Sequence, residues 1–286
     1  MRLIPFFRLL KKKKKSRHFI KDLKGLNFLD NELFGIDKFA LDTEFDWRTT
    51  YFPKLSIIQI SAKNKLFLVD CLKIDPKSVL KKYLENEGIL KVFHSARSDT
   101  TVLSNCLDCQ TKNVFDIQVA DSILSKSGIN SYAKIVNKFF AIELKKSETN
   151  SNWLKRPLTD QQIKYALDDV DFLLEIFNHQ YSKLQKRNLL EHAFSKSEKE
   201  ASLGNQSLKE LRLIKQGNKL NKLIKEIFLW REEVAEKENV PPSFIFKDKY
   251  LKKLAKIELK EANAKSRIMT IIGDTQLTEK FIESFL

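Results

Sequence analysis

The 286-residue chain is 42% hydrophobic and 10% aromatic, enough for one large core or two modest ones, which excludes a disordered protein. It has no run of eighteen apolar residues to span a membrane, and its three cysteines (Cys71, Cys106, Cys109) are too few and odd in number for a secreted disulfide scaffold, so a reduced, cytoplasmic setting is expected. The net charge of +15 points to a polyanionic partner, with nucleic acid the default.

Residues 1–17 contain Arg2, Arg8, Lys11 to Lys15 and Arg17 and no acid, so eight positive charges sit there and the rest of the chain keeps +7. Apolar residues precede the lysines, the reverse of a secretory signal, and the segment reads as a disordered basic arm. From about Phe19 the pattern is globular. Phe39–Phe45, Leu55–Ala62 and Lys65–Asp70 are β-type runs with short polar connections, which predicts antiparallel neighbours with a tight turn at Asn64-Lys65. A helix follows over Pro76–Glu87, with Asp75 as its N-cap and Gly88 as its stop. Ile89–His94 reads as a strand, Arg97–Cys106 as a helix, and Val114–Phe115 as a short strand feeding a helix that runs to about Leu124. After the break at Gly128-Ile129-Asn130, Ser131 caps a helix through Phe140. Cys106-x-x-Cys109 has neither a second cysteine pair nor a histidine at zinc-finger spacing, so it reads as packing.

The loop from Lys145 to Pro157 carries one large apolar residue, Trp153. Thr159 and Gln162 then form a capping box, and Ile163, Ala166, Leu167, Val170, Leu173, Leu174 and Phe177 repeat at helical spacing to about Leu184. Strands followed by alternating helix and strand predict an α/β fold, a mixed sheet with helices packed on it. Residues 187–210 read as a connector, and residues 211–286 as a small all-α module interrupted by Val240-Pro241-Pro242. Seven glycines and no glycine-rich loop exclude a P-loop and a dinucleotide fingerprint.

Five residues carry candidate chemistry. Asp42 and Glu44 lie in an apolar strand, where period two puts both on one face. Carboxylates side by side repel and resist desolvation, so a divalent cation with oxygen ligands is the simplest partner. An isolated D-x-E more often faces solvent, and the case depends on further acids. Asp99 lies at the start of a helix, where it could equally favour the helix dipole. Tyr165 and Asp169 share a helix face at i, i+4, whereas Asp168 is rotated away and Asp171 lies nearly opposite Tyr165. Asp168, Asp169 and Asp171 could also form a solvated face. Four carboxylates suffice for two Mg²⁺ or Mn²⁺ ions, the number suited to in-line displacement at a phosphodiester.

The segments FALDTEF, TYFPKLSIIQIS, FHSARSDTTVL and KSETNSNWLKRPLTDQQIKYALDDVDFLL together resemble the ribonuclease D family, DEDD-superfamily 3′→5′ exonucleases with a tyrosine in the third motif. The stretch that includes FLWREEVAEKENVPPSFIF resembles an HRDC domain. The resemblance implies a ribonuclease H-like exonuclease domain over 18–186 and one HRDC-like domain over 211–286, joined by the connector 187–210, with the arm 1–17 outside the match. It implies that Asp42, Glu44 and Asp169 hold the catalytic metal, with Asp42 bridging to a second ion that Asp99 holds largely through water. Tyr165 would orient the attacking water and help deprotonate it. Lys146, Ser147 and Trp153 would shape the substrate pocket, with His94 and Asp116 in supporting roles and Gln59 facing the site's neighbourhood. Two departures stand out: Asn152 replaces the family's usual acid before the tryptophan, and the chain has room for one HRDC-like domain where fuller members carry two.

The implied function is metal-dependent 3′→5′ exoribonuclease trimming of structured small RNAs, tRNA precursors by family habit, with release of nucleoside 5′-monophosphates. The expected partner is RNA with a single-stranded 3′ end, handled by a monomer with no obligate protein partner and no membrane. A DNA-directed exonuclease of the same superfamily and a non-catalytic nucleic-acid binder are the alternatives. Contact with the terminal 2′-OH separates the first, and loss of acids would mark the second. From Gly204 onward 17 Lys and Arg face 12 Asp and Glu, so RNA binding by the helical module is a family expectation and a packing or dimerisation role is its rival.

Overall fold

Six strands, β1 (Ser16–Ile20), β2 (Lys38–Asp46), β3 (Lys54–Ala62), β4 (Lys65–Asp70), β5 (Leu90–Phe93) and β6 (Val114–Asp116), form one mixed sheet in the order β1-β4-β3-β2-β5-β6. The computed structural model describes residues 14–126, 128–144, 147–217 and 220–285. β2, β3 and β4 pair antiparallel as their short connections require, with the turn at Lys63-Asn64, one residue earlier than expected and with Lys63 at φ 53°. The other pairings, β1–β4, β2–β5 and β5–β6, are parallel. Asp42 stands opposite Gln59 and Glu44 opposite Ile57, and a register shift follows immediately, between Glu44 and Phe45. Such a bulge bends the strand just past the two acids.

Among the described residues, eight helices accompany this sheet: α1 (Leu23–Leu33), α2 (Lys77–Leu84), α3 (Ala96–Leu107), α4 (Ile117–Ser125), α5 (Tyr132–Phe140), α6 (Asp160–Asp171), α7 (Leu173–Lys186) and α8 (Leu190–Gly204). The alternation of strand side chains separates two apolar layers. Leu41, Ile58, Ile60 and Phe67 pack with α1, α2 and α3, while Ala40, Ile57, Leu66 and Leu68 pack with Ala166, Leu167 and Val170 of α6. The sheet thus lies between helices on both faces, a ribonuclease H-like α/β arrangement.

Several boundaries differ from expectation. The segment read as a basic arm, 1–17, is already ordered at its end. Ser16 and Arg17 pair with β4, and the Lys15 side chain is 2% exposed, with its ammonium 3.1 Å from Glu175, 3.4 Å from the Asp171 carboxylate, and bonded to the Asp171 carbonyl. Residues 1–13 lie outside the described residues. The expected long helix after Thr159 is two, broken at Phe172. Most of the connector 187–210 is α8, which packs on α3 and β6 and belongs to the sheet's unit. Its Glu198 and Ser197 side chains accept the Val114 and Asp116 amides, satisfying donors that the short edge strand leaves open.

The sheet's unit comprises described residues up to Asp46 together with Pro53–Gln206, and the second unit comprises Trp47–Phe52 and Ser207–Leu286. The second unit is helical: α9 (Leu208–Gln216), α10 (Lys222–Lys237), α11 (Pro242–Ile245), a 3₁₀ turn (Asp248–Tyr250), α12 (Leu251–Leu254), α13 (Ala264–Ile272) and α14 (Thr275–Phe285). Ile224, Ile227, Phe228, Ile268 and Phe281 form its core. Buried Glu232 is matched by the Arg212 guanidinium at 2.9 Å and the Tyr51 hydroxyl at 3.2 Å. Among the described residues no helix is long and apolar enough to cross a membrane.

Candidate active site

Strand alternation and one helical turn bring the site together. Asp42 and Glu44 project from β2 toward the face that α6 covers, and α6 contributes Asp169. One carboxylate oxygen from each of the three lies within 4.8 Å of the others. The capping box sets the phase of α6: Thr159 accepts the Gln162 amide at 3.1 Å, and Gln162 accepts the Thr159 amide at 3.0 Å. From that start Tyr165 and Asp169 fall on one face. Their neighbours are drawn elsewhere, Asp168 pairing with Lys164 at 2.5 Å and Asp171 with Lys15.

Asp99 stands apart from the triad. It is 4% exposed on the first turn of α3 and accepts a 2.6 Å hydrogen bond from the Thr43 hydroxyl. The geometry is therefore three carboxylates converging with a fourth beside them. Thr43, which the sequence reading passed over, joins the two groups: the residue between Asp42 and Glu44 points to the opposite face, where a hydroxyl donor can meet an acid from α3.

All four acids resist ionisation. Burial, then the neighbouring Asp169 charge, holds Asp42 well above the usual carboxylate range. Burial, Asp42 and Asp169 push Glu44 up to about 10. Burial and Asp42 raise Asp99, against the opposing Thr43 hydrogen bond. Asp169 rises to about 7 through burial and Asp168, against the Tyr165 hydroxyl, which favours its charge. The triad side chains keep partial contact with solvent, though protein crowds around them. Among the described residues no lysine or arginine pairs with any of the four. Converging carboxylates that lack a cation and are forced toward protonation are a donor set fitted to hard divalent ions.

Tyr165 is flanked by the Trp153 ring, 6.0 Å away between centroids, and its hydroxyl lies 3.4 Å from that of Thr149. Burial and the Asp169 charge raise its pKa, so the phenol stays protonated. Trp153 is 3% exposed, and its carbonyl accepts from Arg156 at 2.7 Å. Asn152 is used locally, its side-chain oxygen accepting the Leu154 amide at 3.1 Å. Ser147 is exposed, and Lys146 lies outside the described residues.

Asp116 and His94 sit behind α3. The Asp116 carboxylate accepts the amides of Ser95 (3.0 Å), Ala96 (2.9 Å) and Gln118 (2.8 Å), tying the start of α3 to the start of α4. It also holds Ser95 at φ 65°, a left-handed conformation unfavourable for a residue with a side chain. The His94 ring nitrogen lies 3.2 Å from the Asn130 carbonyl. Gln59 is fully buried opposite Asp42.

Comparison with known proteins supplies the family and the fold. A family model described as 3′-5′ exonuclease matches residues 8–186, and an HRDC domain model matches 221–286. The exonuclease match begins inside the segment taken as a basic arm outside the resemblance, in keeping with its ordered end. Ribonuclease D of Desulfotalea psychrophila is 31% identical over 258 residues, spanning 85% of this chain and 67% of that protein. Ribonuclease D of Pseudomonas paraeruginosa is 30% identical over 227 residues, spanning 76% of this chain and 60% of that one. The chain thus spans about three fifths to two thirds of these relatives' length. The crystal structure of Escherichia coli RNase D, described as an exoribonuclease involved in structured RNA processing, superposes with a TM-score of 0.80 at 24% identity. That superposition covers 96% of this chain and 73% of that one, a likeness of fold.

Fold and sequence match together define a 3′→5′ exonuclease followed by an HRDC domain. The chain belongs to the ribonuclease D family.

Proposed function

We propose that this chain removes nucleotides one at a time from the 3′ ends of structured small RNAs, tRNA precursors among them, and releases nucleoside 5′-monophosphates. The observation that carries the proposal is the convergence of Asp42, Glu44 and Asp169 within 4.8 Å without a paired cation among the described residues. These three would hold one divalent ion, Mg²⁺ or Mn²⁺, and Asp42 with Asp99 a second. Such a pair, when bound, makes water nucleophilic near neutral pH and stabilises charge on the phosphate.

The chain's own residues do the rest. Tyr165, on the same face of α6 as Asp169, would orient the attacking water through its hydroxyl and help deprotonate it. Trp153 fixes the Tyr165 ring from one side. Thr43 holds Asp99, and Asp116 holds the turn from which Asp99 projects. The net charge of +15 favours a polyanionic substrate, and the free cysteines suit a reducing cytoplasm.

The test is incubation of wild type and Asp42→Ala with a 3′-extended tRNA and Mg²⁺. Loss of a metal ligand removes several kcal/mol of transition-state stabilisation, so trimming falls by roughly 10³-fold. Undiminished trimming would sink the assignment. Matched RNA and DNA 3′ ends, compared in the same assay, decide between the ribose types.

A further inference from the structure

The helix that carries Asp169 is broken within the very turn that carries it. In an unbroken helix the Phe172 amide would bond to the Asp168 carbonyl, four residues back. Here the Phe172 amide reaches the Val170 carbonyl, α6 ends at Asp171, and α7 starts at Leu173. The opened place is filled by a side chain from another element. The Tyr132 hydroxyl, at the start of α5, donates to the Asp168 carbonyl at 3.1 Å. The same hydroxyl receives a backbone hydrogen bond from Phe172, so it stands where the helical bond would be. A polar group inserted into the i→i−4 ladder breaks or kinks a helix, and residues 168–173 contain no glycine or proline to do it instead.

Two further contacts hold the opened turn. The last carbonyl of α6, that of Asp171, accepts from the buried Lys15 ammonium, which also meets Glu175 of α7 at 3.1 Å and Ser61 of β3 at 3.3 Å. The Tyr132 ring itself lies 5.5 Å from the His94 ring, just past β5. Asp169 thus lies between two carbonyls, 168 and 171, that are each tethered by a side chain from outside the helix. A helical side chain leaves along a direction fixed by the backbone of its own turn, so the shape of this turn sets where the Asp169 carboxylate points. We infer that Tyr132 is a positioning residue for Asp169: its hydroxyl, spliced into the last turn of α6 with Lys15 tethering the same turn, aims the Asp169 carboxylate at those of Asp42 and Glu44. The inference rests on the metal-site assignment proposed above and adds to it two residues that are not among the ligands.

The experiment measures Mn²⁺ binding by isothermal titration calorimetry, and kcat and KM on a 3′-extended RNA, well below the melting temperature of each variant. It uses the full chain as wild type, Asp42→Ala, Tyr132→Phe, and Lys15→Met combined with Glu175→Gln. Tyr132→Phe carries the decision, because it removes one oxygen and keeps the ring. The Lys15 variant removes the ammonium together with one carboxylate it faces, so that pair leaves no charge behind. A positioning role predicts Mn²⁺ affinity weakened about 10- to 100-fold in Tyr132→Phe, with kcat lowered by a similar factor and KM for the RNA within about twofold of wild type. The Lys15 variant should move both in the same direction. A residue that served stability alone would lower the melting temperature and leave these constants unchanged. Mn²⁺ affinity and kcat within about twofold of wild type in Tyr132→Phe therefore overturn the inference, whatever the melting temperature, and the same result in the Lys15 variant removes Lys15 from it. If wild type binds no more Mn²⁺ than Asp42→Ala, the metal-site assignment itself fails and takes the inference with it, an outcome distinct from a Tyr132 failure.

Discussion

At Asp169 three influences oppose a negative charge: burial, the adjacent Asp168, and a place in the last turn of α6, where the helix dipole is negative. Glu44 is opposed by burial and by two other acids. Both therefore titrate higher in the folded chain than in the unfolded one, where carboxyls ionise near pH 4. The folded state keeps protons that the unfolded state releases, so in the metal-free protein the contribution of these two groups is full below about pH 4 and is lost as pH rises through about 7 for Asp169 and on toward about 10 for Glu44. Melting curves in EDTA should fall steadily from pH 5 to pH 9. Mg²⁺ should raise the melting temperature more at pH 8 than at pH 6, and an equal rise at both would contradict the linkage. In EDTA at pH 8, Asp169→Asn should stabilise the fold by about 1–2 kcal/mol, read from urea unfolding, while abolishing exonuclease activity. The acids were legible because strand and helix periods are fixed: period two joins Asp42 to Glu44, and i, i+4 joins Tyr165 to Asp169. Thr43 and Lys15 were not legible, since their partners come from α3 and from the α6–α7 junction, and one-dimensional spacing carries no such pairing.

Element by element, local patterns were read where they were periodic and missed where tertiary packing decided. The capping box at Thr159 was legible, but the end of α6 at Phe172 was not, because no glycine or proline marks it. The helix α1 was missed although Asp22 caps it and Leu26, Leu29 and Leu33 repeat on its buried side. α8 looked like a polar connector because its buried positions are small residues, Ala193, Ser197, Ala201 and Gly204, which create close approach and leave no apolar stripe. A β-carbon at Gly204 would stand 1.9 Å from the Thr100 hydroxyl and 2.6 Å from the Arg97 carbonyl, both on α3. Gly204→Ala should therefore cost about 1–3 kcal/mol by overpacking and disturb the helix that carries Asp99. Urea unfolding measures the first effect. A variant as stable as wild type would show that α8 can move away from α3. Thr159→Ala should cost about 1 kcal/mol through loss of the cap and leave Mg²⁺ dependence intact, because the cap sets the phase of α6 without touching the acids.

For the molecule as a whole, charge and chemistry are separated. The acids cluster in the exonuclease unit of a chain whose net charge is +15, so long-range attraction for RNA and local affinity for divalent cations arise from different residues. RNA binding should weaken with salt by roughly 2.6-fold per phosphate contact for each fourfold rise in concentration, while Mn²⁺ binding at the acids changes far less. Filter binding across a salt series checks this, and a flat response would remove electrostatic attraction from the account. The order of the triad along the chain has one more consequence. Asp42 and Glu44 leave the ribosome early on a strand, but Asp169 arrives only with α6, near the end of the exonuclease unit. On the assignment proposed above, a chain halted anywhere before α6 carries two of the three converging carboxylates and lacks Asp169, so a nascent or truncated fragment, held beside the very messenger that encodes it, would be harmless to RNA until synthesis has passed the last acid.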